Sequence, residues 1–439
     1  MRDLTTGKEY RAIMAFTLPI LIGNIFQQMY NVIDSIVVGR ILGTESLAAV
    51  GLCFQINLLL VAITVGVTLG VGIIISQCFG AKDYDKIYDV IQTGYAFTSI
   101  IAIVITVTGF VFCENILILV RVPNDILPLT LTYLRIIFLG IIPSFMYNAV
   151  SNVLRGLGDS KAPVYFLISA ALLNLVLAIA FVAVFRWGIS GAAYATVISQ
   201  LFSFIGIYYY LNKKYPQFQV RIRDWRIKRQ ILKQCLEISI PAAMQQVFIS
   251  LGLIVIQILI NSFGSECMAA YAAASRIDGF ALMPAQNMGQ ALSIFTAQNI
   301  GAKKNDRVVN GYKATMLIGS VLSIVLGLII IMFPDILMKL FSNDIGILEI
   351  GRSYLRIIAS AYIIFAAMHI TNGALLGYGK TFVPMISSIV SLCLLQVPIA
   401  ISLSGYLGYV GIWIATPIGW TGGLIIRAVY FYKKVKVSK

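Results

Sequence analysis

Asn24, Gln27, Asn31 and Asp34 follow one another at steps of three, four and three residues, so a helix through them carries all four on one face. Between Arg11 and Arg40 the only charged side chain is Asp34, in a stretch otherwise apolar enough to cross a bilayer. A charged group at mid-membrane costs about 2.5–3.5 kcal/mol even on the insertion scale, and such groups face a bundle interior or water. Two roles fit. Asp34 is either a structural carboxylate bonded to a neighbouring helix or an exchange site. In the second role burial favours the protonated acid and a bound cation favours the carboxylate, so one Asp in a closable cavity alternates between H⁺, a metal ion such as Na⁺, and a cationic substrate.

A second polar stripe, Gln246, Ser250, Gln257 and Asn261, has spacings of four, seven and four and again shares a helix face. It either lines a cavity or ties helices together by hydrogen bonds. We group Gln27, Asn31, Gln246 and Gln257 as candidate cavity residues, together with the lone histidine, His369. One histidine cannot build a metal site, though it can titrate near neutral pH or serve as a packed structural residue. Arg276 and Asp278 stand two apart and do not face each other on a helix. Arg135 and Arg356 fall near span ends, where long side chains reach the interface. The six cysteines show no metal or framework spacing.

These residues need helices to position them, and the chain supplies apolar ones. Of 439 residues, 59% are hydrophobic and 12% charged, about half the charged fraction of soluble domains (about 25%). Apolar runs predict twelve spans at 12–38, 47–76, 90–112, 131–154, 163–185, 190–211, 238–262, 268–298, 311–333, 352–376, 383–403 and 409–432. Strand-length alternation is absent, which argues against a transmembrane β-barrel. With both termini in the cytoplasm, most Lys and Arg fall in cytoplasmic segments, as the positive-inside rule requires. The net charge of +15 is concentrated beside spans, above all at 213–235, where it serves orientation and anionic-lipid contact better than nucleic acid binding. The first apolar run is long and lacks a cleavage pattern, so it is expected to remain as a helix.

The sequence is written twice at an offset of about 221 residues. "ILGTESLAAVG" at 41–51 answers to "SFGSECMAAYA" at 262–272, "SQCFGAK" at 76–82 to "AQNIGAK" at 297–303, and "YLRII" occurs at 133 and 354. "RGLGDSKAP" at 155–163 matches "LGYGKTFVP" at 376–384, and Pro19 pairs with Pro241. Shared apolar bias would not align glycines, prolines and charges in order, so the halves are a duplication. The expected fold is all-α and integral to the membrane: twelve transmembrane helices in two parallel six-helix repeats. Residues 1–212 form one lobe, 213–235 a basic cytoplasmic linker and 236–439 the second lobe. An even number of spans per repeat puts both halves in the membrane the same way round, with a substrate site between them and alternating access by their relative movement.

Enzyme motifs do not assemble. "ALLGYGKT" at 374–381 ends like a phosphate loop but follows a membrane helix, not a strand, and its repeat partner has Asp159 at the lysine position. "GLGD" at 156–159 suggests an intramembrane aspartyl protease. That chemistry needs two facing aspartates, and the counterpart of Asp159 is Lys380.

Together, "QQMYNVIDSIVVGRILGTESLAAVG", "LRGLGDSKAP" and the two Gly-Ala-Lys loops make the chain resemble the multidrug and toxic compound extrusion (MATE) family of secondary transporters. The resemblance implies an antiporter of the cytoplasmic membrane, exporting amphipathic, often cationic compounds in exchange for H⁺ or Na⁺, without a cofactor. It also implies an ion site built from the first-span Asp, an Asn and an Asp four residues apart in the fifth span, and a Thr of the sixth. Asp34, Asn174 and Thr196 match, whereas Ala178 replaces the second Asp. Left as the single formal charge, Asp34 favours H⁺ over Na⁺, which binds through several oxygens. Expected partners are small amphipaths and membrane lipids, with the chain acting as a monomer. The alternative is a flippase for lipid-linked oligosaccharide precursors, whose pyrophosphate calls for buried Arg or Lys. By this reading the span interiors offer little beyond Arg276.

Overall fold

The computed structural model describes residues 2–119, 122–123 and 125–437, with side chains at 30–40, 44–45, 47–48, 54–55, 222 and 434–437 outside the description. Among the described residues there are helices and turns and no strand. Helix α1 (Glu9–Gly80) is two helices joined at Gly43, and α2 (Tyr84–Val111), α3 (Cys113–Leu119), α4 (Leu127–Leu139) and α5 (Ile141–Gly156) follow. Helix α6 (Lys161–Ile179) runs into a π-helical turn, Ala180–Val184, before α7 (Gly188–Lys214). The second half comprises α8 (Arg229–Asn261), α9 (Ser265–Gly301), α10 (Asn305–Met332), α11 (Pro334–Lys339), α12 (Ile345–Ser360) and α13 (Tyr362–Gly377). Then come α14 (Phe382–Ile389), a π-helical turn Val390–Gln396, α15 (Val397–Leu407) and α16 (Tyr409–Val437).

Among the described residues, nine helices are long and apolar enough to cross a membrane, and two bent pairs bring the number to eleven. The bends fall inside the spans expected at 131–154 and 352–376, between α4 and α5 (41°) and between α12 and α13 (50°). The remaining expected span, 268–298, lies in α9, a 37-residue helix that carries Glu266, Arg276 and Asp278 and is the more polar for it.

The duplication is visible in the backbone. Gly43 (φ +83°) breaks α1, and its counterpart 221 residues later, Gly264 (φ +90°), separates α8 from α9. Both need a conformation that costs side chains with a Cβ about 1 kcal/mol or more. Lys82 and Lys303 repeat the pattern with φ of 60° and 58° just after the helices that end at Gly80 and Gly301. The bend at Gly140 recurs at Ala361 with the same offset, and each half also carries one π turn, Ala180–Val184 and Val390–Gln396, although these two stand in different register.

The helices group into two compact units: residues 1–2 with 22–243, and residues 3–21 with 244–439. The opening turns of α1 therefore belong to the second unit, where Ala12, Ile13, Phe16 and Ile20 join its core. Those of α8 belong to the first, where Ser239 Oγ donates to the Val67 carbonyl at 2.7 Å. Pro19 and Pro241 lie beside these changes of unit; each removes one helical hydrogen bond at the crossing.

Within a bilayer, helix association depends on close packing and interhelical hydrogen bonds rather than on water exclusion. The second unit uses glycine: a Cβ on Gly373 would come within 2.0 Å of the Gly289 carbonyl oxygen, so α9 and α13 touch backbone to backbone. At the equivalent crossing in the first unit the residues are Thr68 and Asn152, and there Asn152 Nδ2 donates to Thr68 Oγ1 at 2.9 Å.

Candidate functional site

Asn174 and Thr196, placed together only by resemblance at the sequence level, are bonded in the structure. Asn174 sits on α6 one turn before the buried Ala178 and shortly before the π-helical turn. Its Nδ2 donates to Thr196 Oγ1 on α7 at 3.1 Å, and that hydroxyl donates onward to the Ala192 carbonyl at 3.2 Å. Asn174 is only 3% exposed, and its Oδ1 is buried without a hydrogen-bond partner among the described residues. Burying an acceptor in this way costs about 1–3 kcal/mol. It is what a site for a proton donor or a hard cation requires, because an oxygen committed to the scaffold has less to offer either. π turns are common beside functional sites because they displace a helix face without ending the helix.

The second unit contains the same construction. Gln396, the last residue of the second π-helical turn and four before the buried Ala400, donates through Nε2 to Thr416 Oγ1 at 3.0 Å. At the Asp34 offset, however, stands Val255. The amide–hydroxyl pair therefore belongs to the duplicated scaffold, and the carboxylate belongs to one repeat alone.

Asp34 and Asn31 lie on α1, and their side chains are outside the described residues. Gln27, on the same helix, is half-buried and engaged with a neighbour. Gln246 is half-buried on α8, while Gln257 Nε2 donates to Asn261 Oδ1 at 2.8 Å, so this part of the second polar stripe bonds within its own helix. His369 on α13 is half-buried and lies against Phe365, ring centroids 4.2 Å apart, with Trp420 4.8 Å beyond Phe365. The described candidates thus resolve into one bonded pair, Asn174 with Thr196, and separate positions on α1, α8 and α13.

Three groups were not assembled by sequence reasoning. Asp278 is 5% exposed on α9 and accepts from the Tyr362 hydroxyl. An aromatic wall stands nearby, in which Tyr271 stacks on Trp413 at 5.8 Å and Tyr354 meets Trp413 edge-on at 4.8 Å. No spacing rule could have found these partners, which come from α9, α12, α13 and α16. Asp159, in the turn between α5 and α6, accepts from Tyr210 Oη (2.9 Å), Tyr215 Oη (3.0 Å), Lys214 Nζ (3.2 Å) and the Ala162 backbone N–H (3.1 Å). Burial pushes this carboxyl up, but the four donors outweigh it and hold it below its ordinary value. Arg427, which lies inside the last expected span, is 3% exposed on α16. The reading that span interiors offer little beyond Arg276 is therefore corrected. Five residues from the expected end of its span, Arg427 reads in sequence like one more flanking cation.

The MatE family model matches the chain twice, over residues 19–180 and 241–401, one match in each repeat. The chain is similar over nearly its whole length to two Bacillus subtilis proteins named "Probable multidrug resistance protein". Identity to YoeA is 31%, covering 98% of this chain and 96% of that protein; identity to YpnP is 33%, covering 93% and 92%. A crystal structure of MATE in complex with MaL6 superposes with a TM-score of 0.93 at 25% identity, covering 99% of this chain and 98% of that one. The doubled helical architecture, its repeated irregularities and these matches agree that the chain belongs to the MATE family of multi-pass membrane transporters, which are not enzymes.

Proposed function

We propose that this protein is an ion-coupled antiporter of the bacterial cytoplasmic membrane that exports amphipathic, often cationic compounds, with both termini cytoplasmic and the monomer as the working unit. The names of the B. subtilis relatives support multidrug export. The observation that carries the ion-coupling part is the buried Asn174 Oδ1 beside Thr196, without a partner among the described residues, in the one repeat that has a carboxylate at the Asp34 position.

In this reading Asp34 is the exchanging group. Facing the cytoplasm as a carboxylate, it attracts a cationic substrate within a low-dielectric surround, where charge pairs are stronger than in water. When the transporter faces outward, a proton taken up by Asp34 cancels that attraction and the substrate leaves. Asn174 Oδ1 is an acceptor for the protonated acid, and Thr196 holds the amide in orientation. Ala178 leaves the site with one formal charge, which suits a proton. Na⁺ is the second reading, supported by the hard oxygens of Asn174 and Thr196. Gln27, Asn31, Gln246, Gln257 and His369 are proposed cavity residues. Cells expressing wild type or Asp34→Asn at equal membrane levels test the assignment by dye efflux: the variant should lose energised export, and equal export would remove Asp34 from the mechanism.

A further inference from the structure

Arg427 is a buried charge with no ion pair among the described residues. It is buried in the second unit on α16, donates through Nη2 to Ser388 Oγ at 2.8 Å, and its buried Nε finds no partner. No described carboxylate pairs with it. Gln245 Nε2 also donates to Ser388 Oγ, at 3.1 Å. With both lone pairs engaged, that hydroxyl keeps its own proton to donate. His369 on α13 is half-buried and within electrostatic reach of Arg427. Four helices, α8, α13, α14 and α16, thus bring donors together without an anion.

A scaffold has no need for this arrangement, and the duplication shows as much. The corresponding residues of the first repeat are Asn24 for Gln245, Asn148 for His369, Leu167 for Ser388 and Ile207 for Arg427. The same helices therefore pack in the first unit without the cation or its hydroxyl. Buried unpaired charge is costly and in membrane proteins marks a substrate or ion path. A guanidinium suits a carboxylate or phosphate, which accepts two parallel hydrogen bonds from it.

We infer that Arg427, with Ser388, Gln245 and His369, receives a carboxylate or phosphate carried by an amphipathic substrate, so that the transporter accepts zwitterions and organic anions as well as cations. This rests on the export reading above and adds a substrate class to it. The second repeat then selects the anionic end of a substrate, and Asp34 in the first governs the exchange.

The test uses purified full-length protein and a rhodamine in two forms, the zwitterionic free acid and its cationic methyl ester. Binding is read by fluorescence anisotropy and transport in proteoliposomes. Wild type should bind the acid about tenfold more tightly than the ester. Arg427→Gln should lose that preference while still moving the ester, and Arg427→Lys should keep part of it. Equal affinity of wild type for acid and ester would overturn the inference without any variant. So would a parallel loss of both dyes in a folded Arg427→Gln protein, which would make the arginine structural. Repeating the measurement with and without phosphatidylglycerol separates the other source of phosphate: if Arg427→Gln alters only the lipid dependence, the site binds headgroups and the inference fails. If wild type binds the acid preferentially but transports neither dye, the export reading fails while the anion site stands.

Discussion

Truncating a buried amide normally destabilises a protein, and Asn174→Ala is predicted to depart from that rule. Among the described residues the side chain makes one hydrogen bond, from Nδ2 to Thr196 Oγ1, and leaves Oδ1 buried without a partner. Losing the bond costs about 0.5–1.5 kcal/mol, whereas removing an unsatisfied acceptor returns about 1–3 kcal/mol. Thr196 keeps its bond to the Ala192 carbonyl, so no new orphan is created. A small cavity offsets part of the gain. The net change is within about 1 kcal/mol of zero, against a coupled transport rate reduced at least tenfold. The assay pairs thermal unfolding in detergent with ion-driven uptake in proteoliposomes, normalised to folded protein. A loss of about 3 kcal/mol or more with unchanged coupling would refute the reasoning, because it would show Oδ1 to be a satisfied structural group.

Gln396→Ala breaks the equivalent amide–hydroxyl bond in the second unit. With Val255 at the carboxylate position, it should lower stability by about 1 kcal/mol and leave ion dependence intact, as read by the same paired assays. Gly373→Ala places a Cβ against the Gly289 carbonyl, with no flexible side chain to yield, and should cost more than about 3 kcal/mol or abolish accumulation in the membrane, as judged by yield and melting. Asp159→Asn tests the cluster in the turn between α5 and α6 through pH. The folded carboxyl is held below its unfolded value, so its stabilisation is present above about pH 4 and is lost as pH falls through the folded value. The variant should therefore melt earlier than wild type at pH 7, by about 1–3 kcal/mol, with the gap closing in acid.

Much of the fold was legible because duplication leaves marks that apolar composition cannot imitate. The glycine pair 43 and 264 and the proline pair 19 and 241 stand at equivalent joints of the two repeats, and their register can be read directly from the residues. The bends at Gly140 and Ala361 were not legible, since hydropathy averages over a bent span as easily as over a straight one. That Asn24, Gln27, Asn31 and Asp34 share helical period could be read from the sequence, while the side chains of the last two lie outside the described residues. The Asn174–Thr196 bond could not, because it joins two helices and only family resemblance brought those residues together. Arg427 was overlooked for a related reason: whether a basic residue near a span end meets lipid headgroups or points inward depends on its neighbours. Where the repeats agree, as in the amide-to-hydroxyl bond itself, they report scaffold, while the open Asn174 Oδ1 has no counterpart at Gln396 among the described residues. Where they differ, at Asp34 against Val255 and Ile207 against Arg427, they point to function.

The most direct test of the central claim is substrate movement in proteoliposomes driven separately by a pH gradient and by a Na⁺ gradient, for wild type and Asp34→Asn. The account predicts that the pH gradient drives wild-type transport, that Na⁺ adds nothing, and that Asp34→Asn responds to neither. Gradient-driven transport by Asp34→Asn at the wild-type rate would contradict it.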